Sequence, residues 1–147
     1  MKLAGETQEV ALAEAHAVLA MAQGAYRERL AALAAALAEG EVEDEDAETL
    51  EELLELGLQS GRLRAVYGTG AEAAALRIYR RLPRGAELAA SAEEVTQALG
   101  ALREKRLESL SLSAVGPGAF ALTIVAGGVE LSLRLDRQGA RLASVGV

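Results

Sequence analysis

Residues 68–73 read Gly68-Thr69-Gly70-Ala71-Glu72-Ala73, a Gly-x-Gly-x-x-Ala turn set between a β-leaning run that ends at Tyr67 and a segment rich in helix formers. Glycines at that spacing let backbone amides close on a phosphate, and the helix that follows aims its positive end at the same place. Arg77, Arg80, Arg81 and Arg84 come next, with Arg62 and Arg64 just upstream. Guanidinium groups grip phosphate or carboxylate through paired hydrogen bonds, so Gly68, Thr69, Gly70, Arg77, Arg80, Arg81 and Arg84 form a candidate anion site. A dinucleotide site needs one thing more, an acidic residue about 20 residues on at the end of a second parallel strand. Glu87 and Glu93 stand near that distance, but within "RGAELAASAEEV", which reads as a turn and a helix start. Thr69-Gly70-Ala71-Glu72 also fits the Ser/Thr-x-x-Glu capping box, so the preferred reading is a capped helix start that carries an arginine face. Arg77, Arg81 and Arg84 share one side of that helix, and Leu76, Tyr79 and Leu82 share another.

What meets those arginines decides their meaning. The chain supplies its own candidates in Glu39, Glu41, Glu43, Asp44, Glu45, Asp46, Glu48, Glu51, Glu52 and Glu55. Internal charge pairing or a plain solvated face is the expectation, ahead of a partner-protein surface and of nucleic acid. The acidic run has oxygens for a calcium loop but neither the glycine nor the alternate spacing, and it reads as a solvated linker. His16 is the only histidine and cysteine is absent, so no common metal set can be completed. Serines are plentiful, but no Gly-x-Ser-x-Gly elbow occurs. Neither a catalytic constellation nor a cofactor is expected.

The elements that must position these residues follow from periodicity. Thr7 to Glu39 reads as one helix of roughly 50 Å at about 1.5 Å per residue, with Gly24 its weak point and Gly40 its C-cap. Leu12, Leu19, Tyr26 and Leu33 recur every seven residues, with Leu30 and Leu37 beside them, forming a seam that a second copy of the chain could cover. Three shorter helices are expected: Ala47 to Gln59 capped by Asp46, Gly70 to Leu82 ended by Pro83, and Ala92 to Lys105 opened by Ser91-Ala92-Glu93-Glu94. Beyond Arg106 the period changes to two. Leu110, Leu112 and Ala114, then Phe120, Leu122 and Ile124, then Val129, Leu131, Leu133 and Leu135 alternate with mostly polar residues. Gly116-Pro117-Gly118, Gly127-Gly128 and Asp136-Arg137-Gln138-Gly139 carry turn chemistry, and a last strand runs from about Arg141 to Val147. The fold class is therefore α+β: a long helix (1–40), an acidic linker (41–46), and a body (47–147) of helices followed by a four-stranded antiparallel meander.

Composition sets the outer bounds. The 147 residues are 51% apolar but 3% aromatic, so a core must be built from Leu, Ala and Val. Residues 1–60 carry 14 acidic and 3 basic side chains, whereas residues 61–147 carry 8 and 12, so the net charge of -7 hides two halves of opposite sign. Arg far outnumbers Lys and Asn is absent, as GC-rich coding or heat adaptation would produce. Overall acidity and few stacking side chains argue against nucleic acid, and no membrane helix is expected. The start lacks a secretory pattern and cysteine is absent, which points to the cytoplasm. The sequence thus reads as a non-catalytic interaction or scaffold protein, self-associating, as a dimer, through the first helix. The alternatives are a winged-helix-like DNA-binding regulator, disfavoured by Glu93 and Glu94 where a recognition helix should meet phosphates, and a phosphate binder at the glycine turn with Arg77 and Arg80.

Overall fold

The computed structural model describes residues 1–147 as six helices followed by a four-stranded antiparallel sheet. The chain forms two compact units, Met1–Gly85 and Ala86–Val147.

The first unit is helical. The expected long helix is two: α1 (Glu6–Leu19) and α2 (Gly24–Glu39). The break falls at the weak point, where Gly24 adopts a left-handed φ of 60° that a side-chain-bearing residue resists. Arg27 Nη1 donates to the Leu19 carbonyl at 2.9 Å, satisfying a carbonyl that the end of α1 leaves free. Folding back lets the two halves bury their apolar sides on each other and on the following helices. Leu30, Leu33 and Leu37 are fully buried, while Leu12, Leu19 and Tyr26 lie half-buried against the same core. The second half of the expected seam, Leu30, Leu33 and Leu37, is thus buried within the chain.

Gly40 caps α2 in the left-handed conformation, as expected. The acidic segment after it is tied down. Leu3 donates to the Gly40 carbonyl and Val42 to that of Met1, both at 2.8 Å, forming a Lys2–Glu41 bridge, and Val42 is buried. Helix α3 spans Asp44–Gln59 behind an extended Glu43, so Asp46 lies within its first turn instead of capping it. Its Leu50, Leu53 and Leu54 join the core.

"RLRAVY", with its β-leaning residues, forms helix α4 (Arg62–Tyr67), because Leu63 must reach the leucine core. The single residue Gly68 separates it from α5 (Thr69–Tyr79), which has no side-chain cap; Glu72 is drawn instead to Arg64. Helix α6 begins at Pro83, where proline suits a first helical turn, and runs to Gly100. Ser91 therefore sits inside the helix, and its hydroxyl donates to the Ala140 carbonyl.

In the second unit β1 (Leu107–Gly116), β2 (Ala119–Ala126), β3 (Val129–Asp136) and β4 (Gly139–Gly146) form the expected meander in the order β1-β2-β3-β4. Gly127 and Gly128, both at positive φ, supply the two-residue turn between β2 and β3. Leu110, Leu112, Leu122, Ile124, Leu131, Leu133 and Leu142 share one face by register. Helix α6 lies on part of it: Val95, Leu131 and Leu133 are buried, with Ala98, Leu102, Leu122, Ile124, Ala140 and Leu142 packed around them.

Candidate functional site

Four of the six arginines of the cluster, Arg62, Arg64, Arg77 and Arg84, pair with the chain's own acids. Arg62 donates from Nε and Nη2 to the two carboxylate oxygens of Glu14, each at 2.9 Å. Glu14 retains only 1% exposure. Its place one residue before Ala15 and three after Ala11, both fully buried, puts it on the inward side of α1. That spacing could have revealed the buried acid from sequence. Burial first, and then the Glu14 carboxylate, raise the Tyr67 phenol above its ordinary value.

Arg77 Nη2 meets Glu6 at 2.9 Å, and both side chains are more than half exposed. A Glu6 oxygen also lies 3.2 Å from where a Cβ on Gly70 would sit. The carboxylate of Glu6 therefore stands at the glycine turn, where the phosphate reading needs an external anion. Arg64 pairs with Glu72 at 2.7 Å. Arg84 binds Glu55 at 3.0 Å and lies 3.8 Å from Glu51, whose carboxylate also accepts from the Arg84 backbone amide at 2.5 Å. Hydrogen bonding to Glu55 raises the Arg84 pKa further above its already basic value.

Arg81 touches only the Lys2 carbonyl, at 3.4 Å, and Arg80 forms no ion pair. Both are exposed, as are Gly68, Thr69 and Gly70. Of the expected counter-charges, Glu51 and Glu55 serve this cluster; Glu14, Glu72 and Glu6 pair with Arg62, Arg64 and Arg77. No group of three or more His, Asp or Glu side chains is gathered to hold a metal ion. Glu43, Asp44 and Glu45 line an open, shallow depression.

The second unit offers a different kind of surface. Leu110 and Leu112 on β1 are 60% and 61% exposed, and Phe120 on β2 is 42% exposed. They occupy one face in consecutive register, with Leu110 opposite Ile124, Leu112 opposite Leu122 and Ala114 opposite Phe120. Every residue of β1 is exposed. Alternation marks these positions as the apolar face, but nothing in the sequence says that the helix stops short of them. Such a strip cannot perform acid-base or nucleophilic chemistry; it can lose water to another apolar surface.

No protein-family model, curated protein or solved structure matches the chain.

Proposed function

We propose that this protein is a non-catalytic interaction protein whose working surface is the uncovered apolar half of its sheet, centred on Leu110, Leu112 and Phe120. The carrying observation is the exposure of two adjacent leucines on a regular strand at 60% and 61% while their counterparts Leu131 and Leu133 on β3 are at 0% and 3%. Contiguous apolar exposure of this kind weakens a soluble fold unless a partner removes it from water. The arginine cluster supports the same reading from the other side, since four of its six arginines, Arg77 and Arg84 of the candidate anion site among them, are paired with the chain's own acids. The lack of cysteine agrees with a cytoplasmic setting.

Affinity capture with the full chain tests the proposal. Leu110→Lys with Leu112→Lys is compared with Glu130→Lys with Ser144→Lys, which lie on the opposite face and away from β1. Partners retained by the wild type and the polar-face variant but lost by the leucine variant are expected. Identical partner sets for all three would refute it.

A further inference from the structure

The two edges of the sheet are built differently. Strand β4 has a register shift opposite Ser132 and Leu133, in its middle, and carries Arg141 bound to Asp136 at 2.9 Å. A bulge and a charge are the usual devices by which an edge strand avoids pairing. Strand β1 has neither in its central stretch. Its irregularities lie at its two ends, between Leu107 and Ser109 and between Ala114 and Gly116. Ser109–Ala114 pairs one-to-one with β2, contains no charge and no proline, and leaves its outer backbone groups unpaired by any strand.

We infer that this edge is occupied by a second copy of the same strand, antiparallel across a two-fold axis at Ser111, joining two four-stranded sheets into one of eight. The inference rests on the proposed interaction surface and names its partner. In the register centred on Ser111, Leu110 of each copy stands opposite Leu112 of the other, and Ser109 opposite Ser113. Leu107 falls opposite Val115, and from Ser109 to Ser113 leucines meet leucines and serines meet serines. The nearest charges, Arg106 and Glu108, lie at one end of β1 and fall opposite Gly116 and Ala114 of the other copy. No like charges are opposed, and cross-strand pairs at Cβ separations of about 4.5–5.5 Å gain from such matching. Each leucine, now flanked by a strand on one side only, acquires a neighbour on the other, and four leucines become one continuous block. The isologous arrangement closes on itself, so the product is a dimer and not a fibre.

The absence of cysteine makes the register measurable. Ser111→Cys places two thiols across the axis, close to the Cβ separation of about 3.5–4.5 Å that a disulfide requires. Under mild oxidation Ser111→Cys is expected to form a covalent dimer at least tenfold faster than Ser109→Cys or Ser113→Cys alone. A mixture of those two is expected to cross-link with each other. Ser111→Lys, which sets two ammonium groups face to face at an exposed position, is expected to turn the wild-type dimer into a folded monomer by light scattering. Three results overturn the inference: a wild-type monomer over a hundredfold range of concentration, a dimer that survives Ser111→Lys, or equal cross-linking rates for all three cysteine variants. A self-pairing failure would leave the wider interaction proposal to its own test, because capture of other proteins on Leu110 and Leu112 reads out independently of dimer mass.

Discussion

Removing Arg62 strands a carboxylate that has only 1% exposure, whereas removing Glu14 releases an arginine side chain that already has 30%. The two halves of one ion pair should therefore differ in cost. Breaking a buried pair costs about 3–5 kcal/mol when the remaining charge cannot reach water. Arg62 is partly exposed, so Arg62→Met should fall at the lower end, near 3 kcal/mol. Glu14→Gln keeps one acceptor for the guanidinium and should cost roughly 1–2 kcal/mol. The helical unit spans Met1–Gly85, and for a unit of that size 1 kcal/mol is worth about 4–8 °C, so Arg62→Met should lower its melting midpoint by about 12–24 °C. The exposed Arg77–Glu6 pair is the internal control: Arg77→Ala should cost no more than about 1 kcal/mol. Replacing both partners, Glu14→Leu with Arg62→Met, should recover most of the loss, because two apolar side chains of similar volume leave no charge unsolvated. Far-ultraviolet circular dichroism follows each melt. If Arg62→Met costs no more than Arg77→Ala, or the double substitution costs as much as the two single ones together, burial of Glu14 does not govern this pair.

Leu33→Ala should destabilise the helical unit by about 2–5 kcal/mol, and denaturant melts should show a midpoint independent of protein concentration, because Leu33 is buried within its own chain. Gly85→Ala should cost about 1–3 kcal/mol by urea unfolding, since an added Cβ would overlap the Tyr79 carbonyl and the backbone itself must shift. The Asp136 carboxyl is held below the usual carboxylate range by the Gln138 backbone amide and then by Arg134 and Arg141. A lowered folded value means that its contribution is complete above the unfolded pKa of about 3.9 and is lost as pH falls through the folded value. Asp136→Asn should therefore lower the melting midpoint of the sheet unit at neutral pH, and the gap from wild type should close under strong acid.

The meander was legible because its two informative features are local. Period-two alternation fixes which side chains share a face, and Gly127-Gly128 or Asp136 to Gly139 fixes where the chain reverses. The helical half was less legible because several local preferences lost to packing. "RLRAVY" leans toward strand, yet Leu63 reaches the leucine core only if the segment coils. Neither capping box forms: Glu72 pairs with Arg64, and Ser91 lies inside α6, where its hydroxyl donates to the Ala140 carbonyl. Gly24 was visible as a weak point, but a seven-residue leucine repeat reads the same whether the helix continues or folds back on itself. The acid partners Glu6 and Glu14 lie 71 and 48 residues from their arginines. Pairing over such separations is set by the tertiary fold, which no spacing rule supplies.

Alternation identifies an apolar face without saying what covers it, and the two units of width involved explain the difference. Strands lie about 4.8 Å apart, so four of them present a face broader than one helix, whose diameter with side chains is about 10–12 Å. A helix laid along such a sheet covers about two strands fully and the flank of a third. In this unit α6 is the one helix, and burial follows that width: Leu131 and Leu133 on β3 are lost from solvent, Leu122 and Ile124 on β2 are half-covered, and Leu110 and Leu112 on β1 stay in water. Leu110 and Leu112 on β1 and Leu131 and Leu133 on β3 alternate in the same way, each pair with one serine between. Their environments differ because coverage is a count of elements against sheet width, a property of the whole unit. A four-stranded meander with a single covering helix is therefore an incomplete layer by construction. Adding a strand to β1 pairs the free backbone groups of that edge and gives Leu110 and Leu112 a second flank, with no change in the existing packing.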